Sequence, residues 1–113
     1  MQVYRLTVTI PQGQAVSSVV STEGLQLRGV AFPASMTGAK VRLEVQLPGD
    51  ATWRMLRSNG NPVEIPVTPN ALEVLDPNLF QEFPSLRVRS VDTTGADANQ
   101  ATAAQVTLVL AAD

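Results

Sequence analysis

The sequence predicts an all-β fold, an antiparallel two-sheet β-sandwich of jelly-roll type with about eight or nine short strands. Apolar and polar residues alternate along several runs, most regularly over residues 40–47. Turn-forming residues separate these runs at the spacing typical of sandwiches. No amphipathic segment of helix length interrupts them. The 113 residues fit one domain, 1–113, which is large enough for a single core without covalent staples.

The predicted strands, in chain order, are residues 4–10, 15–20, 25–32, 40–47, 52–57, 63–67, 71–75, 86–91 and 104–110. In the first strand every second residue is apolar, and Pro11 ends it because proline lacks a ladder donor. The second strand contains serines and is weaker. In the third strand the apolar residues change parity at Gly29, which predicts a β-bulge there. The fourth strand alternates throughout, so its odd-numbered side chains are expected to face the core.

Turn signals define the later elements. Asn59 and Gly60 separate the fifth and sixth strands, and both tolerate positive φ, which predicts a hairpin. Pro66 places the sixth strand at a sheet edge. An Asp-Pro pair predicts a single helical turn over 76–80. Residues 92–100 form a polar loop, and the last strand is expected to pair with the first, which brings the two termini together.

Charge and composition narrow the classes of function. The net charge is −2, and seven of the eight basic residues are scattered arginines, a pattern that argues against nucleic-acid binding. Without His or Cys, the chain lacks Ser-His and Cys-His nucleophilic pairs and thiolate metal sites. The first ten residues do not form a signal peptide, and no apolar run approaches the roughly 20 residues of a membrane helix. We expect a soluble protein that is not exported by that route and does not bind membranes; the alternative is a mature fragment whose signal peptide has been removed.

The acidic residues are candidates for a catalytic pair or for metal ligands. Glu44, Glu64 and Glu73 alternate with apolar residues, so solvent-facing strand charges are favoured over a glycosidase pair. Asp92 and Asp97 lie among oxygen donors of the kind that Ca²⁺ takes, but without an Asp-x-Asp-x-Asp pattern. The sequence therefore predicts no enzyme, no catalytic residues, no cofactor and no metal.

Aromatic and arginine residues leave binding roles open. By parity, Tyr4 and Phe32 are expected in the core, whereas Trp53 follows a turn and is a candidate for an exposed sugar platform. Arg87 and Arg89 share a parity and form a small positive stripe on one sheet face. Arginine is enriched at protein interfaces, but a solvated face is the favoured explanation of the stripe.

Three strings in a fixed order suggest a family. They are Thr7-Val-Thr-Ile-Pro-Gln-Gly-Gln14, Gly24-Leu-Gln-Leu-Arg-Gly-Val-Ala-Phe-Pro-Ala34, and Leu75-Asp-Pro-Asn-Leu-Phe80 followed by Leu86-Arg-Val-Arg-Ser90. A loop rich in Thr, Ala and Gln and a terminal apolar strand follow. In this order the chain resembles the small jelly-roll capsid decoration, or cement, proteins of tailed bacteriophages.

The resemblance implies a non-enzymatic virion protein, made in the bacterial host cytoplasm, that binds the major capsid protein on the capsid surface as a homodimer or homotrimer. The alternative is a carbohydrate-binding module or a head- or tail-fibre module. We expect the interface to combine the N-terminal arm, two arginines and the polar loop. Its predicted residues are Met1, Gln2, Val3, Tyr4, Arg5, Arg54, Arg57, Asp92, Thr93, Thr94, Asp97, Asn99 and Gln100.

Overall fold

A computed structural model of the chain describes residues 2–22, 24–75 and 84–112, and these residues contain ten β-strands and no helix. The strands are β1 (Val3–Ile10), β2 (Gln26–Ala31), β3 (Lys40–Gln46), β4 (Arg54–Met55), β5 (Arg57–Ser58), β6 (Asn61–Pro62), β7 (Glu64–Pro66), β8 (Leu72–Val74), β9 (Ser85–Val91) and β10 (Ala104–Ala111). The predicted all-β class is confirmed. In this part of the chain no helix has the length and hydropathy needed to cross a membrane.

Two antiparallel sheets account for most of these strands. In the first sheet the order is β1-β10-β2-β8. In the second sheet β3 lies between β9 on one side and an edge formed by β4 and β7 on the other. Bridges from Val16 to Arg89 and from Val20 to Leu86 place the segment 16–20 beside β9. The predicted strand at 15–20 is therefore present only as these isolated bridges.

The core lies between the two sheets, where inward side chains from both meet. Alternation along β3 buries Val41, Leu43 and Val45, while the polar residues between them are half-buried on the outer face. Val8 from β1 and Leu108 from β10 are fully buried in the same cluster. Burial of each such side chain stabilises the fold by about 1.5–3 kcal/mol. The second half of β1 thus belongs to the core.

The structure bears out several local predictions. The register between β2 and β10 shifts so that Arg28 is the extra residue, next to the predicted bulge at Gly29. Asn59 (φ 53°) and Gly60 (φ 81°) connect β5 and β6, which confirms the hairpin. Pro66 lies in the edge strand β7. The predicted helical turn over 76–80 lies outside the described residues.

The two chain termini meet as predicted, because β1 pairs antiparallel with β10 from Val3↔Ala111 to Ile10↔Ala104. One core prediction at this end was wrong. Tyr4 is 39% exposed, although Phe32 is buried as expected. Tyr4 lies near the start of β1, where a surface cleft opens beside the strand.

Candidate interaction surface

β1 is one of the two edge strands of the first sheet, and its edge away from β10 is open. Among the described strands β1 pairs with β10 alone. The Ala112 N–H donates to the Gln2 carbonyl at 3.4 Å. Because hydrogen-bonded and non-hydrogen-bonded pairs alternate in antiparallel strands, Val3, Arg5 and Thr7 direct their N–H and C=O groups away from β10. Thr9 has the same orientation, since its carbonyl accepts from the Ser18 N–H at 3.0 Å.

A cleft of about 270 Å³ runs beside this edge. Tyr4, Arg5 and Leu6 line it from β1, and Val20 and Leu25 line it from the neighbouring segment. All five residues are exposed or only partly buried. Val3, on the outer face of the same strand, is 60% exposed.

The predicted N-terminal arm is therefore part of a sheet. From Val3 onward it forms the first strand, in agreement with the strand predicted over 4–10, and only its outer edge is left open. Pairing with β10 supplies the hydrogen bonds that a free arm would have to find elsewhere. The side chains of Val3, Tyr4 and Arg5 remain exposed. Met1 lies outside the described residues.

The two predicted arginines have separate local partners. Arg54 lies in β4 and pairs with Asp50, with its Nη2 2.9 Å from Oδ2. Arg57 lies in β5 and donates to the Gly60 carbonyl at the tip of the hairpin. Each arginine is thus held by its own local turn, and both remain exposed.

The polar loop is tied down by hydrogen bonds. The Asp92 carboxylate accepts from the Thr94 hydroxyl at 2.6 Å and from the Thr94 and Ala96 N–H groups at 2.8 and 3.1 Å. The Thr94 hydroxyl is the largest of the causes that hold the pKa of Asp92 below its ordinary value. Thr93, Thr94 and Asn99 are exposed, so three predicted interface side chains of this loop are accessible.

Gln100 is placed differently from its neighbours, because its side chain is only 2% exposed. Its amide accepts from the Thr37 N–H at 2.8 Å and donates to the Thr37 carbonyl at 2.6 Å. It also donates to the Ser90 hydroxyl at 3.0 Å. This side chain connects two loops to β9 inside the domain, and in the folded chain it is not accessible to a partner.

Sequence reasoning placed several charges on the outward face of these strands but missed that they pair on the outer face of the second sheet. We call these charges the ion network, and its members are Lys40, Arg42, Glu44, Glu64, Arg87, Arg89 and Asp97. They form two groups, one around Glu44 and one around Glu64. Arg87 Nε and Arg89 Nε lie 2.7 and 3.0 Å from the two carboxylate oxygens of Glu44. Asp97 of the polar loop pairs with Arg89 at 2.9 Å. Two features of the sequence could have indicated these ion pairs. The residues have outward parity in their strands, and they carry opposite charges.

The network neutralises the predicted positive stripe. Burial alone would raise the pKa of Glu44, but the hydrogen bonds from Arg89 and Arg87 outweigh it and the pKa is lowered. The pKa of Glu64 is lowered by hydrogen bonds from Lys40 first and then Arg42. Opposite charges and donated hydrogen bonds favour the ionised carboxylates, so this face carries paired charges.

Trp53 lies at the border of this face and is half-buried. The Arg87 guanidinium carbon lies 4.1 Å from the centre of the indole ring, which is within range of a cation–π contact. One face of the ring is therefore covered by the protein's own arginine. In the part of the chain that the structure describes, no cluster of three or more His, Cys, Asp or Glu residues is arranged to hold a metal ion.

In comparisons with known proteins, no protein-family model, no curated protein and no solved structure matches the chain.

Proposed function

We propose that the chain is a non-enzymatic structural protein of a tailed-phage virion that binds the outside of the capsid and stabilises junctions between major capsid subunits. The observation that carries the proposal is the open edge of β1. There, unpaired backbone groups and the exposed side chains of Val3 and Tyr4 lie in one stretch of the predicted interface. Monomeric soluble proteins usually protect such edges, and an unprotected one favours binding to a partner.

The order of the strands supports the resemblance on which this proposal depends. The chain passes from β1 to the segment 16–20 in the second sheet, back to β2, and on to β3. After β4 and β7 it returns to β8 in the first sheet, then β9 in the second and β10 in the first. We infer jelly-roll connectivity from this alternation between sheets.

Stabilisation would come from buried area multiplied over many copies. A standard interface takes roughly 800 Å² from each partner. That is about one-eighth of the chain's 6082 Å² of accessible surface. Homodimers or homotrimers on the capsid would add avidity, because each further contact in an oligomer is intramolecular.

The proposal is tested with expanded heads of the encoding phage prepared without this chain. The purified protein should co-sediment with these heads and saturate at a fixed ratio to the capsid subunit. Failure to co-sediment would overturn the proposal. A glycan titration on wild type and Trp53→Ala then examines the alternative, since saturable binding that the variant loses would favour a carbohydrate-binding module.

A further inference from the structure

We infer that β1 accepts an extended segment of its partner as an added strand, with an aliphatic side chain in the cleft and a carboxylate beside Arg5. The inference rests on the proposed function, because it takes the partner to be the capsid subunit. It goes further by stating which part of the chain binds and what chemistry the capsid segment has. Strand addition of this kind obtains affinity from main-chain hydrogen bonds and specificity from alternate side-chain sites.

The backbone of β1 supplies the first condition. The N–H and C=O groups of Val3, Arg5 and Thr7 point away from β10, and none has a backbone partner among the described residues. From Val3 to Thr7 the strand spans about 13 Å at the usual rise of roughly 3.3 Å per residue. A partner strand of about five residues would match this length. Beyond it, the bonds of Thr9 to Ser18 close the edge.

The cleft supplies the second condition. At about 270 Å³ it lies just below the roughly 300–1,000 Å³ of small-molecule pockets, and it runs alongside the open edge. The side chains of an added strand alternate between two faces. Every second side chain would therefore point between Tyr4 and Leu6 on one side and Val20 and Leu25 on the other. An aliphatic side chain there would complete the apolar contacts that the cleft leaves open.

Arg5 supplies the third condition, because its positive charge determines which kind of strand can pair with β1. Its side chain is exposed on the outer face of β1 and forms no ion pair with the described residues. A second copy of β1 is the obvious competitor for the edge. Antiparallel self-pairing over the full open stretch must be centred on residue 5, which sets Arg5 opposite Arg5. Like charges directly opposite each other destabilise a strand pair, whereas a carboxylate at that position stabilises it.

Two pairs of variants in β1 test the inference. Their binding is measured to the expanded phage heads that were prepared without this chain. Thr7→Pro removes an outward N–H without breaking a bond to β10, and Thr7→Val keeps that N–H. Arg5→Glu reverses the charge, and Arg5→Lys preserves it. We expect Thr7→Pro and Arg5→Glu to weaken head binding by about tenfold, and both controls to bind within about threefold of wild type.

Hydrogen exchange with mass spectrometry provides the second measurement. In wild type, peptides covering β1 should gain about three protected amides on the heads, one for each outward N–H. Circular dichroism and thermal melting of every variant confirm folding, and Arg5→Glu keeps the test valid if Thr7→Pro does not fold.

The outcomes separate the two proposals. If wild type binds the heads and Thr7→Pro and Arg5→Glu bind equally well without added protection in β1, strand addition is overturned and the proposed function stands. If wild type does not bind the heads at all, the proposed function itself is overturned. A dimer in solution that Thr7→Pro abolishes would replace the capsid segment with a second copy of the chain and would also overturn the inference.

Discussion

Glu44 is the centre of one of the two groups in the ion network, and replacing it with Gln removes one charge at nearly constant volume. Its oxygens accept from Arg87 Nε at 2.7 Å, from Arg89 Nε at 3.0 Å and from Arg89 Nη2 at 3.3 Å. A glutamine keeps one acceptor oxygen and turns an –NH₂ group towards arginine donors. The variant therefore loses the hydrogen bonds that one carboxylate oxygen accepts. The bonds to the remaining oxygen persist, but they no longer involve a negatively charged acceptor.

The magnitude follows from these contacts. A hydrogen bond to a charged group stabilises a protein by about 1.5–3 kcal/mol, against about 0.5–1.5 kcal/mol for a neutral one. The loss is reduced because Arg87 and Arg89 are 21% and 25% exposed and because Arg89 keeps Asp97. We expect Glu44→Gln to lower the free energy of unfolding by about 2 kcal/mol. For a domain of this size that corresponds to a fall in Tm of about 8 °C.

Urea unfolding at pH 7 measures this difference, with Glu73→Gln as the matched control. Glu73 lies in β8 and forms no ion pair with the described residues, so its variant should stay within about 0.5 kcal/mol of wild type. Equal stability of the two variants would refute the assignment of Glu44 as the centre of a stabilising network.

The difference in stability between wild type and Glu44→Gln should also depend on pH. The pKa of Glu44 in the folded protein lies below its ordinary value of 4.5. A carboxyl of this kind contributes stability that is fully present above its unfolded pKa and is lost as pH falls through the folded one. The gap between wild type and Glu44→Gln should therefore be constant above about pH 4.5 and shrink at lower pH. Parallel stability curves down to pH 2 would contradict this.

Four further variants test the core and the loops. Gln100→Leu keeps the volume but leaves the Thr37 groups without their amide partner, so we expect a loss of about 2 kcal/mol in urea unfolding; a loss below about 0.5 kcal/mol would show that water replaces the amide. Gly60→Ala strains a position at φ 81° and should lower stability by about 1 kcal/mol in thermal melts, and an unchanged Tm would argue against the hairpin geometry. Leu43→Ala empties a fully buried position and should cost about 3 kcal/mol, whereas Leu72→Ala, at a residue 55% exposed, should cost less than about 1 kcal/mol; comparable losses would contradict the assigned core.

Strand positions were predictable where one face of a strand is buried, because burial leaves a local two-residue period. The run at 40–47 is the clearest case, because β3 (Lys40–Gln46) alternates strictly between buried and half-buried residues. The prediction was wrong at Leu47, which follows the end of β3 and is 48% exposed. Tyr4 has the same inward parity yet is 39% exposed. Parity states which way a side chain points, but it does not state whether the opposite sheet reaches far enough to cover it.

The interface residues and the ion network depend on pairings between distant parts of the chain. Glu44 meets Arg87 only because β3 pairs with β9 in one particular register, and nothing in the local pattern fixes that register. Gln100 was expected to face a partner because its loop is polar. Its amide instead forms paired hydrogen bonds with the Thr37 backbone, a contact between residues 63 positions apart. Such contacts follow from the tertiary fold, which strand patterns alone do not specify.

The most direct test of the proposed role is the copy number of this chain in purified virions, measured by quantitative mass spectrometry against the major capsid protein. The proposal predicts a ratio comparable to that of the capsid subunit, since a decoration protein occupies symmetry-related sites over the whole head. A few copies per particle would instead indicate a fibre or tail module, and complete absence from the virion would contradict the proposed function.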